Sequence, residues 1–272
     1  MKPFTFTKKL YCLAGALLVL AFFSCDDLIK DAGEKPWDGP AAVWKVLWAI
    51  YPETEFPNMV GGLYTTGMTA DEIELVKAKA PWFEAFVETA ARGALDIQIT
   101  IEVMPTPLAV PAPTLPPMPA ADKTRLDPEK NFDSCIMTAD FTGVEIPWRA
   151  INGGFYMLIP FKKDQWGWTY DTVPGDSADW TKMYHTNLYV HEWCHLLEWH
   201  FGSRLKYDMP VLHNDTTEYA YTEANTNLDG EYRLVKWYSD FIAGTIASYP
   251  GATNNKKGVH PSWWQKTPRS LR

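Results

Sequence analysis

The chain lacks any basic stripe. Its 25 Lys and Arg are outnumbered by 33 Asp and Glu, for a formal charge of -8. No cluster of cations is placed to follow a phosphate backbone, so nucleic acid is excluded as an expected partner. Long apolar runs are missing as well. The run near the N-terminus, Leu10 to Phe23, falls short of the roughly 20 residues a membrane-spanning helix needs. Cysteine is scarce, with 4 in 272 residues. Cys12 lies inside the apolar run and Cys25 just after it, which leaves Cys135 and Cys194 as a possible pair. Two separate buried thiols are an equal reading. No segment of the chain repeats.

What the N-terminus does contain is an export signal. Lys2, Lys8 and Lys9 form a basic region ahead of the apolar run, whose length suits a secretory leader. It ends at Ser24-Cys25-Asp26-Asp27, which resembles a bacterial lipoprotein cleavage site, with Phe22 where Leu is usual. The expectation is a signal peptide over 1–25 and a lipid anchor on Cys25. The product would be an exported, membrane-anchored lipoprotein of the bacterial cell envelope or its surface. An ordinary cleaved signal with an incidental Cys is the bland alternative, and it too exports the chain. Residues 26–40 are polar and carry Pro36, Gly39 and Pro40, the composition of a tether. Residues 41–272 then form one domain, expected as a monomer.

Within that domain, 46% hydrophobic and 21% charged residues over the whole chain are ordinary globular composition. Ala42 to Tyr51 is apolar enough for a buried strand. Asp71 to Arg92 has helical spacing, with Thr69 as N-cap, Gly93 as stop and Pro81 kinking or splitting it. Leu95 to Met104 alternates like a strand, with Ile97, Ile99, Ile101 and Val103 on one face. The proline-rich stretch from Pro105 to Ala120 reads as a stiff extended loop. Asp133 to Phe141 and Gly154 to Phe161 read as further strands. A long helix is expected from about Ala178 to Phe201, between Ser177 as N-cap and Gly202 as stop. Another runs from Glu231 to Ala247. Strands first and helices later predict an α+β fold.

The chemistry sits on the long helix, at His191-Glu192-Trp193-Cys194-His195. Two His four apart share a helix face, close enough for both imidazoles to reach one Zn²⁺. The Glu between them points toward the space in front of the metal. There it can take a proton from water activated by the metal and pass it to a leaving amine. The bland reading is a chance match on a core helix, with Leu188, Leu196 and Leu197 facing inward. The third ligand is open among His213, Asp215, Glu218 and Glu223. His213 follows a loop containing Pro210 and can fold back on the site. His200, five residues past His195, rotates off the shared face. Glu198 is placed to orient an imidazole, or to form a plain salt bridge. Tyr219, with Tyr221 beside it, can offer a hydroxyl to a developing oxyanion, so Tyr219 joins Glu192 as a candidate catalytic residue. His185 and His260 read as structural or solvated.

The motif resembles that of the zincin superfamily of metallopeptidases. The resemblance covers mainly residues 150 to 225. It implies a small mixed sheet with an edge strand over a long active-site helix, followed by a helical C-terminal part. It also implies bound Zn²⁺ and a protein or peptide substrate held in extended form along that edge strand, a role that falls on Gly154 to Pro160. The chain lacks the Gly of the longer H-x-x-G-x-x-H continuation, and it lacks an N-E-x-x-S-D signature around Glu218, Glu223 or Glu231. The wider pattern is His191 to Glu198, Leu212-His213, Tyr219-Ala220-Tyr221 and Trp237 to Phe241. It is similar to a group of bacterial zincin-like proteins, and that likeness implies His213 as third ligand.

A rival reading comes from the 13 Trp. Exposed aromatics stack on sugars and extended peptides alike, so a non-catalytic surface lipoprotein binding glycan or peptide through a Trp-rich cleft is the alternative. Trp166 and Trp168 fall in a polar loop beside the expected cleft, while Trp44, Trp48 and Trp237 sit in apolar patterns that predict core.

Overall fold

Strand β1, Ala42–Tyr51, is the run that the apolar pattern predicts, and its neighbours explain why it is so apolar. It pairs in parallel with β4, Leu95–Val103, on one side and with β6, Ser134–Asp140, on the other. A parallel strand covered on both faces buries nearly every side chain, and from Val46 to Tyr51 each residue is buried. The computed structural model describes residues 37–57, 62–110, 116–141, 151–152, 154–163, 169–170, 184–210, 230–246 and 258–272. Residues 1–36, where a leader, Cys25 and most of a tether are expected, lie outside them, as do Trp166, Trp168 and Ser177.

β6 pairs in parallel with β8, Tyr156–Lys163, and β8 carries two short antiparallel partners, β7 (Ile151–Asn152) and β9 (Thr169–Tyr170). The main sheet therefore runs β4-β1-β6-β8-β7, with β9 also on β8. A second sheet joins β2 (Glu53–Pro57), β3 (Leu63–Gly67) and β5 (Leu108–Ala109) in the order β3-β2-β5. With its helices the chain is a mixed α and β protein, consistent with α+β at the coarse level. The strand around Gly154 to Pro160 is not the edge of the sheet. β7 pairs outside it, and two residues are too few to leave a periodic signal in the sequence.

Between β1 and β4 the chain passes through α1, Ala70–Lys77, and α2, Ala80–Ala90. Thr69 caps α1 through a complete capping box with Glu72. Pro81 occupies the first turn of α2, where its missing N–H costs nothing, so it splits the predicted helix rather than kinking it. On β4 the expected apolar face is only half realised. Ile97 is buried, while Ile101 and Val103 are exposed, because β4 ends the sheet and its later residues lie at that edge.

After the short helices α3 (Ala120–Leu126) and α4 (Pro128–Asn131), which precede β6, helix α5, Tyr184–Leu197, lies across one face of the sheet. Tyr189 stacks on Trp48 at 4.7 Å between ring centroids, and Trp193 meets Trp44 at 5.6 Å and Phe83 of α2 at 5.4 Å. Trp48 Nε1 donates to Thr138 Oγ1 at 3.1 Å, which lies 3.4 Å from the Tyr189 hydroxyl, so these three polar groups pair with one another. On the opposite face Leu47, Tyr51, Phe56, Met104, Cys135, Met137, Phe141 and Leu158 form the second half of the core.

α5 does not stop at Gly202. It widens into a π-helical turn over Glu198–Arg204, and the left-handed residue that ends it is Lys206, at φ 59°. Helix α6, Gly230–Ala243, ends at Gly244 with φ +71°. The C-terminal residues then return to the sheet. A 3₁₀ turn at Pro261–Gln265 presents the Trp264 carbonyl to Trp44 Nε1 at 2.8 Å. Asp133 accepts from the backbone N–H groups of Arg269 (2.7 Å) and Lys45 (2.9 Å). Gly258 (φ +99°) makes this return possible, since a Cβ there would sit 2.1 Å from the Phe241 carbonyl oxygen. Among the described residues no helix is long and apolar enough to cross a membrane.

Candidate metal centre

α5 has two unlike faces. Tyr189, Val190, Trp193, Cys194, Leu196 and Leu197 are buried against the sheet. His191, His195 and Glu198 are half-buried on the other side. The four-residue spacing brings the imidazoles together as the motif requires. Their ring centroids are 4.7 Å apart with planes at 85°, and the two Nε2 atoms are 3.1 Å apart.

Each imidazole is held from behind by an oxygen. His195 Nδ1 lies 3.3 Å from Glu198 Oε2, one turn on along the same helix. A carboxylate only accepts, so the neutral tautomer that pairs with it has its proton on Nδ1 and its Nε2 lone pair facing forward. His191 Nδ1 lies 2.7 Å from the Tyr238 hydroxyl on α6. Glu198 thus takes the orienting position expected of it. Tyr238 is a partner that sequence reasoning missed. It lies inside the Trp237 to Phe241 pattern, but nothing in helical periodicity says that its phenol, buried beside Trp237, reaches across to another helix.

Nitrogens bound to one tetrahedral Zn²⁺ at 2.0–2.1 Å stand roughly 3.3–3.4 Å apart. The 3.1 Å between the Nε2 atoms is close to that, and both Nδ1 atoms have the oxygen partners that metal-binding imidazoles need. The residues present therefore fit a divalent cation held by two His. Glu192 follows His191 directly and is buried, at 7% exposure, a setting for a carboxylate that accepts a proton from a small molecule.

Among the described residues no group of three His, Cys, Asp or Glu side chains converges. The candidates for the third ligand, His213, Asp215, Glu218 and Glu223, lie outside the described residues, as do Tyr219 and Tyr221; Glu231 falls in the first turn of α6. His200 is fully buried away from the pair and its Nε2 bonds the Lys266 carbonyl. Burial, which disfavours the imidazolium, brings its pKa down to about 4, although the Lys266 carbonyl works the other way. It is a neutral core residue. His260 caps the 3₁₀ turn and bonds Ser262 Oγ at 2.8 Å, which is structural.

Cys135 and Cys194 are separate buried thiols. Burial pushes the Cys194 thiol well up, and the Glu192 and Glu198 carboxylates add to the shift.

The tryptophans sort as their patterns suggest. Trp44, Trp48 and Trp237 are buried, as are Trp193 and Trp264. Trp199, on the π-helical turn, is 42% exposed. Its ring lies over Gly154, where a Cβ would come within 2.8 Å of it and where φ is +82°. That contact ties the end of the His-bearing helix to the turn between β7 and β8.

In comparisons with family models, curated proteins and solved structures, nothing matches this chain.

Proposed function

We propose that this chain is a zinc-dependent metallopeptidase of zincin-like architecture, hydrolysing peptide bonds in the cell envelope or outside the cell, anchored through Cys25. The observation that carries the reading is the approach of His191 Nε2 to His195 Nε2 at 3.1 Å, with an oxygen behind each ring. A core helix with an accidental motif has no reason to turn two imidazoles toward one point while supplying each with an orienting partner. The mixed sheet with an antiparallel strand β7 at its end supports the architecture. α5 lies alongside both β7 and β8.

In this reading His191 and His195 hold the cation through Nε2, and His213 is the proposed third ligand. Bound Zn²⁺ supplies Lewis-acid polarisation of the scissile carbonyl and makes water more acidic. Glu192 takes the proton from the attacking water and delivers it to the leaving amine. Tyr219 is proposed to donate its hydroxyl to the developing oxyanion. The Trp-rich binding alternative rests on Trp166 and Trp168, which lie outside the described residues.

The test is zinc content of the purified chain beside a His191→Ala, His195→Ala double variant, followed by a protease screen. One zinc per chain, lost in the double variant, together with cleavage that Glu192→Gln reduces at least a hundredfold while keeping the metal, is the expected outcome. A Glu192→Gln chain with full activity would eliminate the mechanism.

A further inference from the structure

We propose that two copies of this chain pair through the open edge of strand β4, antiparallel about Ile101, in place of the monomer expected from the sequence. The pairing uses no group of the candidate metal centre, so it stands or falls apart from the metallopeptidase reading.

β4 is the last strand of the main sheet on its side. Successive residues of a strand turn their N–H and C=O groups to opposite sides. The N–H of Met104, just past the strand, donates to the Ile50 carbonyl of β1 at 2.8 Å, so the even-numbered residues face inward. The odd-numbered ones face outward, and the Ile97 N–H accordingly leaves the sheet to reach Glu88 Oε1 of α2 at 2.8 Å. That carboxylate covers the edge at Ile97. Among the described residues, none pairs with the outward N–H groups of Ile99, Ile101 and Val103.

An uncovered edge strand is a template for another strand, and proteins that keep an edge to themselves protect it with charge, proline or a covering segment. Here such protection stands only at the two ends, as Glu88 and Pro105. Between them the stretch is apolar on one face. Ile101 and Val103 are 37% and 39% exposed, beside their register partners Trp48 and Ile50 on β1.

Symmetry names the occupant. With Ile101 opposite its own counterpart, Ile99 lies opposite Val103 of the second copy, and the reverse. All three face outward, so about six backbone hydrogen bonds close, and two apolar stripes meet side by side. At each end Ile97, whose N–H is taken by Glu88, comes opposite Pro105 of the second copy, which has no N–H. The ladder therefore stops without stranding a donor on either chain. On the other face Thr100 meets Glu102 of the second copy and can donate to it, while Glu102 keeps Arg125 of α3 at 3.1 Å. Neighbouring registers are worse. One residue further on, Glu102 faces Glu102 of the second copy; one residue back, Val103 of the second copy lands where the Glu88 carboxylate lies. The paired stretch is short, which places it among weak interfaces, so the dimer is reversible and depends on concentration.

The experiment is analytical ultracentrifugation of the purified chain over a wide concentration range, beside Ile101→Lys and Ile101→Glu. Wild type is expected to shift reversibly from one chain mass to two. Each charged variant sets like charges face to face at the centre of the pairing. Each is expected to stay monomeric at the melting temperature of the monomeric wild type, and an equimolar mixture of the two is expected to restore the dimer. That rescue separates a lost interface from a misfolded chain. In wild type the amides of Ile99, Ile101 and Val103 should gain protection from hydrogen exchange as the dimer forms. A wild type that stays monomeric throughout, a dimer that survives either substitution, or a mixture that fails to restore it overturns the proposal. So does a monomer whose β4 amides gain protection only from an added alternating Val-Thr peptide, which would make the edge a peptide site instead.

Discussion

The two faces of α5 are built by different means. Toward the sheet, Trp193 packs edge-on against Trp44 and Phe83, and Trp44 also touches His200, Phe201 and Trp264. Each ring there has several neighbours, so order is redundant. On the other face, each imidazole has an oxygen partner behind it, Tyr238 or Glu198. The packed face holds the helix in place by burying area, which is non-directional. The polar face sets angles, which only hydrogen bonds can do. Stability and aim are thereby separable on a single helix, and three variants test that separation.

The largest effect is expected from Trp44→Ala. It removes the ring at the centre of the cluster and the 2.8 Å bond to the Trp264 carbonyl, at a cost of about 3–5 kcal/mol. Urea unfolding should show the midpoint falling steeply. If it moves by less than a quarter of that, the packed face is not the anchor described above.

Next comes acid sensitivity. His200 is neutral in the fold, with a pKa near 4, against about 6.5 in an unfolded chain. Below pH 6.5 the unfolded chain takes up a proton that the folded chain refuses, so stability falls as pH drops and flattens below about 4. Arg204 and Arg272 oppose the charge on His200 and Asp133 favours it, but burial is the largest cause. The expected loss is about 3 kcal/mol. Metal-free wild type and His200→Gln, unfolded in urea between pH 7 and 4, should differ in slope by this amount. Parallel slopes would contradict it.

The smallest stability change is expected at Glu198→Ala on the polar face, within about 1 kcal/mol for a partly exposed hydrogen bond. Its zinc affinity should nevertheless fall by about tenfold or more, since His195 loses its orienting carboxylate. A variant with a large stability loss and intact zinc binding would reverse the distinction between the faces.

Several elements are plain in the sequence because local physics dictates them. β1 is a continuous apolar run with the bounds expected, Thr69 and Pro81 mark helix starts by their caps, and His191 and His195 meet because a helix repeats near four. Other features left no such trace. The pairing of β7 outside β8 is a two-residue strand with no period. In the small sheet the two-residue β5 joins the neighbouring strands β2 and β3 from far along the chain. The π-helical turn that extends α5 past Gly202 overrides the ordinary stop signal of a glycine, with Phe201 and His200 of that turn buried against Trp44 and the C-terminal segment.

By itself, the sequence determined the helix, the spacing of its two histidines and the carboxylate between them, because these depend on contacts within one or two turns of chain. Only the tertiary structure decided which oxygen stands behind each ring. Glu198 is three residues from His195 and could be foreseen, but Tyr238 is 47 residues from His191. Tertiary structure likewise withdrew His200 into the core and turned Trp199 over Gly154. Those outcomes depend on how α5, α6 and the C-terminal turn pack on a parallel sheet, and packing is a property of the surfaces that meet rather than of either segment alone.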